Sequence, residues 1–128
     1  MRILLDTHIL LWAAAGALPA DAARYVMDMQ NALFFSPASI WEVVIKQGLG
    51  RADFSADPVS LYNGLLGAGY QELPITSKHT LLIGVLPELH KDPFDRILLA
   101  QSASEGLSLL TSDKTLAQYP GAVILVSA

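Results

Sequence analysis

Short apolar runs alternate along the chain with longer segments of helical periodicity. Ile3-Leu4-Leu5 is unbroken and apolar, as suits a short parallel strand buried on both faces. A helix is predicted from about His8 to Ala15, with Gly16 as its stop. Leu18-Pro19-Ala20-Asp21 opens a second helix reaching about Gln30, and Leu33-Phe34-Phe35 is the next strand. Ser36 then stands as an N-cap with Pro37 at the first helical position. In the helix Pro37–Gln47, the residues Ile40, Trp41, Val44 and Ile45 share one face, while Ser39, Glu42 and Lys46 share the opposite one.

The stretch Leu49–Pro58 reads as loop. A helix over about Val59–Leu66 leads to an extended run at Glu72–Ile75, and Thr76 or Ser77 caps a small helix reaching about Gly84. The sharpest helix signal is Asp92-Pro93-Phe94-Asp95, opening a helix to about Glu105 with Gly106 behind it. Ser108–Thr111 reads as a strand ending in Ser112-Asp113, followed by a helical turn at Lys114–Gln118 and a last strand at Val123–Val126. Strands alternating with helices predict one three-layer α/β/α domain over residues 1–128, with a mostly parallel central sheet.

Composition narrows the function. The 128 residues are 52% hydrophobic and 16% charged, which leaves apolar surface beyond one core. With Trp12 and the run Ile9–Ala15 beside the first strand, that excess predicts a homodimer. The absence of Cys excludes disulfides and thiolate metal sites and fits a reducing compartment. The run Ile9–Ala15 is far below the about 20 residues of a membrane span, so a cytoplasmic protein with no membrane partner is expected. A net charge of −4 argues against coating nucleic acid by bulk electrostatics, but not against a nuclease whose cations supply the positive charge.

The candidate chemistry lies in Asp6, Glu42, Asp95 and Asp113. Asp6 and Asp113 end predicted strands, and a parallel sheet gathers its carboxyl ends along one edge. Glu42 and Asp95 would enter from adjacent helices. Acids gathered in one crevice repel each other unless a cation lies between them, and oxygen ligands suit Mg²⁺ or Mn²⁺. Each has a plainer reading too. Asp6 and Asp113 can cap helices, and Glu42 can form an exposed pair with Lys46 worth about 0.5 kcal/mol. Asp92 fits the cap before Pro93, which leaves Asp95 on a largely apolar face, in need of a strong partner. Thr7, Thr111 and Ser112 offer hydroxyls, and Lys46 and Arg96 offer cations for the acids or for phosphate. His8, His79 and His90 are scattered, so zinc is not indicated. Neither a G-x-S-x-G elbow nor a glycine-rich nucleotide loop occurs.

The segments LLDTHILLW, SPASIWEVVIKQGLG, DPFDRILLAQ and LLTSDKTL, in this order, resemble a PIN-domain nuclease, and more narrowly the VapC-type toxins of bacterial toxin–antitoxin pairs. The resemblance runs from Met1 to about Val126. It places the family's four metal-site acids on Asp6, Glu42, Asp95 and Asp113, and its small hydroxyl residue on Thr111 or Ser112. It implies a Mg²⁺- or Mn²⁺-dependent endoribonuclease acting on RNA, a homodimer, and inhibition by a cognate antitoxin whose C-terminal segment reaches the acidic site. Two other readings compete. An aspartate-based phosphoryl-transfer domain also uses an Asp after its first strand, but usually as Asp-x-Asp, and here the third position is His8. A non-catalytic acidic interaction module would merely hold an Arg-bearing partner.

Overall fold

A computed structural model describes all 128 residues. Its strands are β1 (Arg2–Leu5), β2 (Ala32–Phe35), β3 (Gln71–Glu72), β4 (Ser108–Thr111) and β5 (Val123–Leu125). Its α-helices are α1 (Thr7–Ala14), α2 (Ala20–Val26), α3 (Pro37–Gly48), α4 (Pro58–Gly67), α5 (Ser77–Ile83) and α6 (Pro93–Glu105). The five strands form one sheet in the order β3-β2-β1-β4-β5, and every pairing is parallel.

Parallel neighbours need crossover connections, so helices cover both faces. On one face Ile3, Leu5, Phe35 and Leu110 pack with Leu10, Ala22, Val43, Leu61 and Leu65 of α1 to α4. On the other, Leu4, Phe34 and Leu109 pack with Leu98 and Leu99 of α6 and with Leu116 and Tyr119. Helix α5 lies against α6. This is the three-layer α/β/α arrangement that the alternation of elements predicts, with a wholly parallel sheet. No helix is long and apolar enough to cross a membrane.

Several elements differ from the sequence expectation for local reasons. Helix α2 stops at Val26, short of Gln30, because Asp28 Oδ1 accepts the Gln30 N–H and the Asn31 side chain donates to the Tyr25 carbonyl. Strand β3 is only Gln71–Glu72, not Glu72–Ile75. Pro74 has no N–H for a ladder, and Gln101 Nε2 instead takes the Leu73 carbonyl at 2.9 Å. The expected loop at Leu49–Pro58 contains a 3₁₀ turn, Ala52–Phe54, which delivers Phe54 fully into the core.

Helix α3 turns part of its polar face inward and leaves part of its apolar face outside. Its inward residues are Ala38, Ser39, Glu42 and Val43, while Trp41 is 61% exposed and Val44 and Ile45 are exposed with it. Trp41 forms a T-shaped pair with the Phe94 ring, centroids 5.1 Å apart.

The strand order positions the site. From β1 the chain proceeds to β2 and β3 on one side, then returns to β4 and β5 on the other. The order therefore reverses between β1 and β4, and the crevice at their carboxyl ends is where open parallel sheets bind ligands. Asp6 directly follows β1, and Asp113 lies two residues beyond β4.

Candidate metal centre

Asp6 does two jobs at once. Its Oδ1 accepts the Ile9 N–H at 3.0 Å and so caps α1, while its Oδ2 accepts the Thr111 hydroxyl. Burial is the main force raising its carboxyl above the usual range. The bonds from Thr111 and Ile9 and the nearby His8 work against that rise, and the charge of Asp113 adds to it. Thr111, rather than Ser112, supplies the hydroxyl at this point.

Glu42 is buried, so its pair with Lys46 is no exposed helix-surface contact. Lys46 Nζ donates to Glu42 Oε2 at 2.5 Å, and Thr7 Oγ1 donates to Glu42 Oε1 at 2.6 Å. The Lys46 ammonium lies 4.8 Å from the centre of the Phe54 ring and 4.0 Å from Asp92 Oδ2. The polar residues of α3 thus face inward because Thr7, at the start of α1, gives them a partner.

Asp92 caps α6 as the sequence suggests, accepting the N–H of Phe94 at 2.8 Å and of Asp95 at 3.3 Å. That cap sets Asp95 at the mouth of the crevice. Burial first, then the charges of Asp92, Glu42 and Asp6, push the Asp95 carboxyl up to about 7, with His90 acting in the other direction. Asp113 takes the Thr115 N–H on Oδ1 at 2.8 Å and presents Oδ2 to His90 Nε2 at 3.2 Å. The same Nε2 lies 3.0 Å from Asp95 Oδ2. One ligand atom each from His90, Asp95 and Asp113 fall within 4.8 Å of one another.

Sequence reasoning passed over His90 because the usual search looks for helical or Cys/His spacing. His90 sits instead on the irregular segment before α6, two residues ahead of the cap. The H-x-D-x-x-D spacing of residues 90–95 was the available signal. Of the other histidines, His79 links Thr76 to Glu105, while His8, whose charge reaches Asp6, turns its ring to Asp53.

Arg96 does not pair with the acids. Its guanidinium donates to the carbonyls of Ile83, Pro87 and His90, and so holds the segment leading into α6. The acids Asp6, Glu42, Asp92, Asp95 and Asp113 therefore face one another across the crevice with Lys46 as the strong cation among them. A surplus of carboxylate oxygen with little competing positive charge suits a hard divalent cation.

No curated protein sequence matches the chain. Solved structures do. The chain resembles VapBC2 from Rickettsia felis bound to a DNA fragment from its promoter, with TM-score 0.69 and 16% identity over 99% of this chain and 98% of that one. It resembles a toxin–antitoxin complex from Klebsiella pneumoniae, with TM-score 0.63 and 21% identity over 95% of each chain. It also resembles the sarcin-ricin-loop-cleaving toxin VapC20 of Mycobacterium tuberculosis, with TM-score 0.61 and 18% identity over 92% of this chain and 96% of that one. At these identities the likeness is one of fold. The PIN domain family model, by contrast, matches the sequence itself over residues 3–122. That match begins inside β1, ends at the threshold of β5 and takes in every acid of the crevice, so the chain belongs to the PIN domain family.

Proposed function

We propose that the chain is a Mg²⁺- or Mn²⁺-dependent endoribonuclease, the toxin of a toxin–antitoxin pair, which hydrolyses RNA phosphodiester bonds at Asp6, Glu42, Asp95 and Asp113. The observation that carries this is the convergence of acids at the β1/β4 crevice, where burial first and the neighbouring acids second push Asp95 to about 7. Asp95 and Asp113 would hold the cation, with Asp6 and Glu42 completing its negative surroundings. A divalent cation bound there supplies positive charge to the scissile phosphate and acidifies water.

The chain's own residues do the rest. Thr111 fixes the Asp6 carboxylate, and Thr7 with Lys46 fixes both oxygens of Glu42. Glu42, so fixed, can orient water through a remaining lone pair. Lys46 remains close enough to the crevice to meet a backbone phosphate.

The aspartate-based phosphoryl-transfer reading needs an Asp6 oxygen free to attack. Here Oδ1 is tied to α1 and Oδ2 to Thr111, which disfavours it.

The partner half of the proposal rests on the fold likeness to VapBC and other toxin–antitoxin complexes and on an apolar groove. The groove, of about 640 Å³, runs between α1 and α4 and is lined by Leu11, Trp12, Leu61, Gly64, Leu65 and Tyr70. It would seat an apolar segment of the antitoxin, whose basic end could reach the acids. The exposed stripe of Trp41, Val44 and Ile45 adds apolar surface suited to a homodimer. A cytoplasmic setting accompanies this reading, since RNA and antitoxin would meet the chain there.

The test is cleavage of total cellular RNA by antitoxin-free protein during Mg²⁺ and Mn²⁺ titration. Cleavage that requires the cation supports the proposal. Cleavage undiminished by EDTA rejects the metal mechanism, and cation binding without any cleavage favours the non-catalytic module.

A further inference from the structure

His90 lies outside the four acids, yet its ring touches two of them. A neutral imidazole carries one N–H, and the partner of one nitrogen settles which nitrogen holds it. The Asp92 backbone N–H points at His90 Nδ1 at 3.2 Å. An amide N–H can only donate, so Nδ1 presents its lone pair and the hydrogen sits on Nε2. That Nε2–H is directed at Asp95 Oδ2 and Asp113 Oδ2, at 3.0 and 3.2 Å. The Asp95 N–H in turn donates to Asp92 Oδ1, which closes a loop of hydrogen bonds from Asp92 through His90 and Asp95 back to Asp92. The backbone of His90 is also held, its N–H by Tyr119 Oη at 2.7 Å and its carbonyl by Arg96 at 3.2 Å.

We infer that His90 is a positioning residue: a fixed Nε2–H donor that holds the Asp95 and Asp113 carboxylates together for the cation and is not itself a ligand. This rests on the metal reading above. Ligation through Nε2 would need a lone pair there, and hence a hydrogen on Nδ1 directed against the Asp92 N–H. Donation needs no rearrangement. Two like-charged groups that would otherwise move apart are gathered on one N–H, leaving their remaining lone pairs for the metal. Removing a group that orients metal-binding residues commonly costs about 10- to 100-fold in metal affinity.

The experiment uses the full chain with ¹⁵N-labelled histidine, read by long-range ¹H–¹⁵N spectra without metal and with Mg²⁺. Mn²⁺ affinity is measured alongside, by electron paramagnetic resonance, for wild type, His90→Gln and His90→Phe. The expected result is a protonated Nε2 and an unprotonated Nδ1 at His90 in both spectra. Mn²⁺ binding should stay close to wild type in His90→Gln, which keeps an N–H donor, and weaken about 10- to 100-fold in His90→Phe. Loss of the Nε2 proton on adding Mg²⁺ would make His90 a ligand and overturn the inference. So would equal losses in Gln and Phe, or undiminished binding in Phe. The tautomer is read on wild type, so a poorly folded variant does not blunt the test. Wild-type protein that binds no Mn²⁺ would overturn the metal reading and this role together.

Discussion

Thr111 Oγ1 donates a hydrogen bond to Asp6 Oδ2 while accepting the N–H of Asp113 at 3.0 Å, so one hydroxyl ties together the ends of β1 and β4. Because the Asp113 N–H occupies one lone pair, the hydroxyl hydrogen is directed at Asp6. Thr111→Val keeps the shape and removes the donor. Asp6 would then hold a buried oxygen with no partner, at a cost of about 1–3 kcal/mol. Calorimetry without metal should show a lowered midpoint for Thr111→Val and a near-normal one for Thr111→Ser. Equal midpoints for all three proteins would mean that the bond carries no stability.

Asp95 predicts a pH dependence. Its folded pKa of about 7 lies above the ordinary carboxyl value of 3.8, so over that interval the folded state holds a proton that the unfolded state has released. Stability from this group is therefore present at low pH and declines between about pH 4 and about pH 7, with no further loss above. Asp95→Asn should abolish nuclease activity yet make the metal-free protein more stable than wild type near neutrality. The gap should widen across that interval and then level off. Denaturant titrations at several pH values, without cation, measure it; parallel curves would show that burial and the neighbouring acids do not raise the Asp95 carboxyl.

Asp92 and Asp95 should separate cleanly. The cap made by Asp92 uses Oδ1, which Asn also possesses, and Asn caps helices about as well as Asp. Asp92→Asn should retain most RNA cleavage with a near-normal midpoint, whereas Asp95→Asn retains none. Equal inactivity would move Asp92 into the chemistry.

The groove between α1 and α4 offers a variant that spares the fold. Gly64 lies within α4, and a Cβ there meets nothing within 4 Å. Gly64→Glu should gain helix propensity, about 0.5–1 kcal/mol in an exposed helix, while placing a charge where an apolar partner segment would lie. The expected outcome is a midpoint no lower than wild type, unimpaired cleavage and at least tenfold weaker antitoxin binding by calorimetric titration, about 1.4 kcal/mol. Undiminished binding would place the partner elsewhere.

The parts of the fold legible in the sequence were those with their own local chemistry. Asp92-Pro93 announces α6, and Ser36-Pro37 announces α3, because a capping oxygen and a proline at the first turn favour one conformation. The gathering of acids followed from a parallel sheet placing its carboxyl ends along one edge. What remained hidden depends on distant partners. The inward turn of α3 exists because Thr7 meets Glu42 across 35 positions. The place of His90 depends on Tyr119, 29 positions away, and on Arg96, which spends its guanidinium on carbonyls rather than acids. No helical periodicity carries that information.

The central place of β1 has a consequence for how the chain is made. Its partner β2 follows within a few dozen residues, but its other partner, β4, begins only at Ser108. At about 5–20 residues per second, on the order of several seconds of synthesis separate Glu42 from Asp113. During that interval Leu4 and Leu5 border an open sheet edge, the kind of surface that invites wrong pairing. A nascent chain ending before β4 has neither Thr111 to fix Asp6 nor Asp113 to face it. The crevice is therefore completed late, when β4 slots in beside β1 and brings Thr111 and Asp113 to Asp6.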